Sequence, residues 1–303
     1  MHLLEIHDFY NIPQKYLLLL NDKILLNYPF IKYLNADNNP KITNINYMNR
    51  LIKLNASGFL CGIDNKGITN LNLIKLDASN NKKITSIDHM SKLIELDASY
   101  NCGINDKEIK KLNLIKLNAH NNKKITNVNH MFNLIELNAS GKDCGISDLG
   151  IRYVNLEILY VHNNAKISNI NHMTKMIDLD ASSSGKYYDC CNISNKSIQN
   201  LKNLIKLNVA NNPNIKNINH MTKLLELNAS GYLCGITNEG INKLNLIKLD
   251  AHNNPKITDL NHMTQIIELY ASGFNCGITN EGIKELKNLK YLHSQYNEKI
   301  ENK

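Results

Sequence analysis

At 303 residues, 43% apolar and 20% charged, the chain is too apolar to be disordered, and its 14 glycines and 5 prolines make it neither collagen-like nor linker-rich. The formal charge of +8 comes from lysines scattered along the whole length, which favours acidic partners and argues against nucleic acid, whose binders concentrate charge on one face or tail. The most apolar run, Tyr16–Leu20, is far too short to cross a bilayer, so no membrane contact is expected.

Residues 1–30 stand apart from the rest of the chain. The opening "MHLLEIHDFYN" has no basic stretch before an apolar core and does not read as a secretory signal. The stretch "YLLLLNDKILLNYPFI" reads as one or two short amphipathic helices, a helical cap on the first repeat.

From Ile31 two units alternate. An A unit reads "LIKLDASNNKKITSIDHMSK" from Leu73, and a B unit "LIELDASYNCGINDKEIKKLN" from Leu93. A units begin at Ile31, Leu73, Leu114, Leu156, Leu204, Leu246 and Leu289; B units begin at Leu51, Leu93, Leu134, Met176, Leu224 and Ile266. Seven A and six B units make thirteen repeats over residues 31–303.

Within "LIKLDAS", Leu and Ala alternate with period two, which predicts a short strand with an apolar side. Stacking the repeats pairs these strands into one parallel sheet, and the rest of each unit returns across its inner face. In B the return predicts a single helical turn, as at Asn238–Leu244; in A, stretches such as Ile167–Lys175 predict an extended or 3₁₀ path. No single unit can bury its apolar side alone, so the stack is the domain.

Cys61, Cys102, Cys144, Cys234 and Cys276 hold equivalent places in B units, with Cys190 or Cys191 in the fourth. Copies two strands apart lie about 9–10 Å from each other, too far for a disulfide or a shared metal. They read as small buried thiols in a reducing compartment. His89, His130, His172, His220 and His262 each precede a methionine, and Met90, Met131, Met173, Met221 and Met263 read as a core ladder with the histidines on the surface beside it. No phosphate-binding glycine loop, paired carboxylate, nucleophile elbow or zinc motif appears, so neither catalysis, cofactor nor metal is expected.

The motif Leu-x-x-Leu-x-Ala, followed by Asn or a short insertion and then Ile, resembles the leucine-rich repeat family, with Ala where Leu is commoner. The B tail "CGITNEGIKEL" at Cys276–Leu286 resembles the cysteine-containing subfamily, which includes F-box substrate receptors. The A tail "NNKKITNVNHMFNL" at Asn121–Leu134 is similar to the shorter bacterial and phosphatase-regulator type. The resemblance implies an α/β solenoid, a curved horseshoe with its parallel sheet on the concave face, and a non-enzymatic role in binding another protein.

Copies of a repeat serve as controls for one another. The third residue of each strand is mostly Lys in A and Glu or Asp in B, so Lys75 and Glu95, Lys116 and Glu136, Lys206 and Glu226, and Lys248 and Glu268 should sit side by side. The fourth pair breaks this pattern with Ile158, Tyr160 and His162, and the next B unit carries the one long insertion, "SSSGKYYDCCN" at Ser182–Asn192. Apolar and aromatic residues on a sheet face mark binding sites. The expected contact centre is therefore Ile158, Tyr160, His162, Asp178, Asp180, Tyr187 and Tyr188.

Secondary candidates are His120 and His252, which replace Ser on the strand face, and Tyr270, Tyr291 and His293 near the C-terminus. Phe59, Tyr100, Tyr232 and Phe274 form an aromatic row in the turns after B strands, which could also cover apolar ends of the stack. The expected function is a protein-binding scaffold in the cytoplasm. Two alternatives are a ubiquitin-ligase substrate receptor whose first 30 residues dock a ligase subunit, and a structural protein that self-associates through its C-terminal end. The richness in Asn, Ile and Lys, whose codons are AT-rich, points to an AT-rich genome such as that of a giant virus (host cytoplasm would then be the setting), an amoeba or a bacterium.

Overall fold

Each repeat's Leu-x-x-Leu segment becomes a strand of only three residues whose two outer side chains face outward and whose central leucine is buried, except in the last repeat, where Leu292 is exposed. The computed structural model describes residues 8–9, 13–185 and 191–301. The chain divides into two units, Met1–Ala139 with Asp143–Val154, and Ser140–Lys142 with Asn155–Lys303. Each is a parallel β-solenoid.

The first unit holds β1 (Asp8–Phe9), α1 (Gln14–Leu17), α2 (Asp22–Leu25), β2 (Tyr33–Asn35), β3 (Lys53–Asn55), α3 (Asn65–Ile68), β4 (Lys75–Asp77), β5 (Glu95–Asp97), α4 (Asp106–Ile109), β6 (Lys116–Asn118), β7 (Glu136–Asn138) and a 3₁₀ turn at Asp148–Ile151. The second holds β8 (Ile158–Tyr160), β9 (Asp178–Asp180), α5 (Asn195–Ile198), β10 (Lys206–Asn208), β11 (Glu226–Asn228), α6 (Asn238–Ile241), β12 (Lys248–Asp250), β13 (Glu268–Tyr270), α7 (Asn280–Ile283) and β14 (Tyr291–His293). Strands pair in chain order, in parallel and in register, within β1–β7 and within β8–β14. Strands β2–β14 fall one to each of the thirteen repeats, and the B returns carry the helical turns, as expected from the spacing.

The strands stop after three residues because their last side chain turns the backbone. Asp97 Oδ1 accepts the Ser99 amide at 2.9 Å, and Asn55 and Asp77 do the same for Ser57 and Ser79. The following alanine, such as Ala98, is fully buried, and its carbonyl is met by an asparagine from the next A unit. Asn81, Asn122, Asn212, Asn254 and Asn297 repeat this contact: each is buried and donates from Nδ2 to two backbone carbonyls of the preceding repeat. Buried carbonyls at the tight turns are thereby satisfied without a regular ladder.

Met90, Met131, Met173, Met221 and Met263 are all fully buried, as the core ladder requires. The histidines beside them do more than face solvent. Nε2 of His89, His130, His220 and His262 lies 2.9–3.3 Å from the carbonyls of Ile68, Ile109, Ile198 and Ile241. These are the last residues of α3, α4, α5 and α6, whose carbonyls also accept the amides of Leu71, Leu112, Leu201 and Leu244, so each histidine adds a second contact that ties its return to the preceding helical turn.

The first thirty residues supply the same contacts by other means. Asn39 donates to the carbonyls of Leu17 and Leu20 at 2.6 and 3.0 Å, as Asn81 does to Ala56 and Ile63. Asp22 accepts the Thr43 amide at 2.8 Å, as Asp106 accepts that of Thr126 at 2.7 Å. The helical segment, with β1 paired to β2, therefore takes the place of a B unit ahead of the first A unit.

Candidate functional site

The outward side chains of β8–β14 form two rows across the second unit. One runs Ile158, Asp178, Lys206, Glu226, Lys248, Glu268, Tyr291; the other runs Tyr160, Asp180, Asn208, Asn228, Asp250, Tyr270, His293. Both begin with an apolar or aromatic side chain and end with rings, and the middle is polar. From β8 to β13 the rows extend about 24 Å, at roughly 4.8 Å per strand.

At the first end the structure brings together Ile158, Tyr160, His162, Asp178 and Asp180, all half-buried on two adjacent strands. Asp180 Oδ1 accepts the Ser182 amide at 3.0 Å and its hydroxyl at 2.6 Å, and His162 Nδ1 lies 3.6 Å from Asp180 Oδ2. Burial pushes the Asp180 carboxyl up, but the approach of His162 and the two bonds from Ser182 outweigh it and hold the group below its ordinary range. This end therefore presents a fixed negative charge beside a tyrosine. Tyr187 and Tyr188 lie outside the described residues.

At the other end Tyr270 is clamped on three sides. Its hydroxyl donates to Glu268 Oε1 at 2.6 Å, the Lys248 ammonium lies 5.2 Å from the ring centre, and the His293 ring stacks on it at 4.3 Å and 8°. The bond to Glu268 pushes the phenol up, so it stays a neutral donor. Tyr291 and His293 are exposed beside it.

Between the two ends lies a shallow depression of about 370 Å³ lined by Lys206, Glu226, Lys248, Asp250 and Tyr270, among others. The four expected lysine–glutamate pairs form, at 2.9 Å for Lys75–Glu95, 2.8 Å for Lys116–Glu136, 3.1 Å for Lys206–Glu226 and 2.9 Å for Lys248–Glu268. In the second unit Lys206, Glu226 and Lys248 also line the depression, a role that the alternation of charge did not disclose. Burial pushes the Asp250 carboxyl up, so this one group in the middle of the face gains from a donor brought by a partner.

The remaining candidates scatter. His252 is exposed, with Nε2 2.8 Å from Asn253 Nδ2. His120 belongs to the first unit, where it makes the same contact to Asn121 and meets the Tyr100 ring edge-on at 4.9 Å. Phe59, Tyr232 and Phe274 each follow a left-handed glycine and are 63–72% exposed, so they cover no core. Tyr100 is not their equivalent. It occupies the left-handed position itself, at φ 57°, where Gly58 and Gly231 stand in other copies and where a Cβ at Gly231 would collide with Asn211.

The cysteines are structural in their setting. All six described thiols are fully buried, those of Cys61, Cys102, Cys234 and Cys276 are free, and in the fourth B unit Cys191 is the one that fills the position. Burial pushes Cys61 and Cys234 up to about 11 and Cys102 up to about 12, which suppresses the reactive thiolate. Among the described residues no group of three or more metal-ligating side chains converges, and no helix is long and apolar enough to cross a membrane. What the strand face can do is bond, pair charges and stack.

No protein-family model matches the sequence, and no curated protein matches it. Solved structures do. The functional domain of InlJ from Listeria monocytogenes, described as including a cysteine ladder, is 18% identical, with a TM-score of 0.52 over 88% of this chain and 57% of that one. The chain thus spans little more than half of the InlJ domain's length. The internalin InlF of the same organism, also 18% identical, gives a TM-score of 0.49 over 89% of this chain and 81% of that one. With its thirteen stacked strand-and-return repeats, the chain has the leucine-rich repeat fold.

Proposed function

We propose that this protein is a non-enzymatic recognition scaffold whose second unit binds a partner protein across its strand face. The observation that carries the reading is the pair of breaks in an otherwise uniform polar face: Ile158, Tyr160 and His162 at one end, and Tyr270, Tyr291 and His293 at the other. Stacking needs neither break, since the other repeats, apart from Tyr33 on β2, keep the same strand with Lys, Glu or Asp at its first position and Asn or Asp at its third. Aromatic anchors at both ends of a polar depression fit a partner that lays two apolar contacts across a run of alternating charges. The free buried thiols of Cys61, Cys102, Cys234 and Cys276 support a reducing, intracellular setting as part of the same proposal.

The test reverts the first break to the residues that other A units carry. A pull-down from host lysate, read by mass spectrometry, would compare the wild type with an Ile158→Lys, Tyr160→Asn, His162→Ser variant. The expected result is a protein recovered by the wild type and lost by the folded variant; equal recovery by both would remove β8 from the site. A second reading, a ligase receptor docked through its first thirty residues, is favoured by the exposed Leu19, Leu26 and Phe30 there. Binding of residues 1–30 to a ligase core subunit would support it.

A further inference from the structure

The return segments can be compared copy by copy, as the strands were, and in the first unit three positions break the pattern together. Phe132 stands where every other complete A unit has Asn, Ser or Thr, such as Ser91. Leu149 stands where every other B unit has Lys or Glu, and Tyr153 where every other B unit has Asn, Lys or Glu. All three point outward: Phe132 is 80% exposed, Leu149 75% and Tyr153 67%. Phe132 and Leu149 are the two most exposed large apolar side chains among the described residues.

Hydrogen bonds hold the three on neighbouring returns. Asn129 Nδ2 donates to the Leu149 carbonyl at 2.7 Å, and Asn129 Oδ1 accepts the Tyr153 amide at 2.8 Å. Phe132 lies three residues after Asn129, and the Asn133 amide donates to Asn113 Oδ1 at 3.4 Å. Beside them opens a depression of about 590 Å³ whose lining includes Asn129, His130 and Lys110. A single exposed leucine needs no explanation, but three apolar departures on consecutive returns, next to a concavity, mark a contact surface.

The charges around the patch select its partner. Lys107, Lys110, Lys111 and Arg152 are exposed, and the Arg152 guanidinium lies 5.7 Å from the Tyr153 ring centre. The carboxylates nearby are turned to internal use. Asp106 accepts the Thr126 amide at 2.7 Å and its hydroxyl at 2.5 Å, Glu108 is buried, and Asp88 lies 3.4 Å from Lys111. Asp148, just before Leu149, is half-buried and already partnered, so the exposed charges around the apolar centre are those of the lysines and Arg152, set among neutral groups such as Asn127 and Asn129.

We propose that Phe132, Leu149 and Tyr153 form a second docking surface, for a short acidic segment of a partner protein that places two or three apolar side chains among Asp and Glu residues. The surface is separate from the strand face, and the proposal does not depend on the reading of that face.

The test is selection of a phage-displayed random-peptide library on the full chain, followed by fluorescence anisotropy of the enriched peptides. The comparison variant is Phe132→Thr, Leu149→Lys, Tyr153→Asn, which installs residues already carried by sister repeats and should fold, as circular dichroism would check. The proposal expects enriched peptides with net negative charge and at least two apolar residues. They should bind the variant about tenfold or more weakly, and bind the wild type more weakly as salt is added. They should bind the Ile158→Lys, Tyr160→Asn, His162→Ser variant as well as the wild type. Neutral or basic peptides, equal binding to the Phe132 variant, loss on the Ile158 variant, or no enrichment would each overturn it. So would self-association in sedimentation that disappears with the Phe132 variant, because the occupant would then be a second copy.

Discussion

At the scale of single residues, the buried asparagines carry more of the fold than their surface-like chemistry suggests. Asn122 donates to the carbonyls of Ala98 and Ile104 and accepts the Lys124 amide, all within one turn. Asn122→Ala leaves these groups buried without a partner, and should cost about 2–4 kcal/mol, read from urea unfolding midpoints. A loss no larger than that of an exposed asparagine would remove the ladder from the account. Tyr47 is the opposite case. It stands where the other A units have their capping histidine, and its hydroxyl is buried with no hydrogen-bond partner among the described residues. Burial, with Asp22 nearby, pushes the phenol up to about 12. Tyr47→Phe should therefore stabilise the chain by roughly 1 kcal/mol, and a lower midpoint for the variant would show that the hydroxyl has a partner.

At the scale of the repeat element, the strand, the methionine ladder, the buried thiol and the helical turn of B could all be read from the sequence, because each derives from a local period. The histidine caps and the asparagine ladder could not. Their partners are carbonyls some twenty residues earlier, and an asparagine that spans two carbonyls has the same one-letter context as one in solvent. The first thirty residues were opaque for the same reason: Leu17 and Leu20 stand in for Ala56 and Ile63 through backbone atoms alone, which no side-chain pattern records. The cysteine positions yield a pH prediction with a definite sign. Cys61, Cys102 and Cys234 rise from 9.0 to about 11 or 12 in the folded chain, so the fold holds their protons more tightly than the unfolded chain does. Their contribution is intact below about pH 9 and is lost as pH rises toward 11–12. Urea midpoints should fall between neutral and strongly alkaline pH, and a Cys102→Ala variant should lose less than the wild type. An equal alkaline loss in both would assign it to other groups.

At the scale of the whole molecule, regular stacking and departures from it divide the labour between fold and function. The lysine–glutamate pairs recur in both units and set register, whereas Ile158, Tyr160, Tyr270 and Tyr291 depart from what most repeats carry at those positions and, on this account, answer to a partner instead. This much of the site was legible, because a repeat shows its exceptions. The depression between the two breaks was not, since apart from Tyr270 its lining residues are the ordinary ones of the repeat, and only their placement on β9–β13 forms it. Phe132, Leu149 and Tyr153 are exceptions in the sequence too, but that Asn129 ties the return of Phe132 to Leu149 and Tyr153 is visible only in the structure.

The central claim is that the second unit's strand face is where a partner sits. Hydroxyl-radical footprinting of the chain with and without the protein recovered by pull-down reads side-chain access directly. The account predicts that Tyr160, Tyr270 and Tyr291 become protected while Phe59 does not. Protection confined to the first thirty residues, or to the returns, would contradict it.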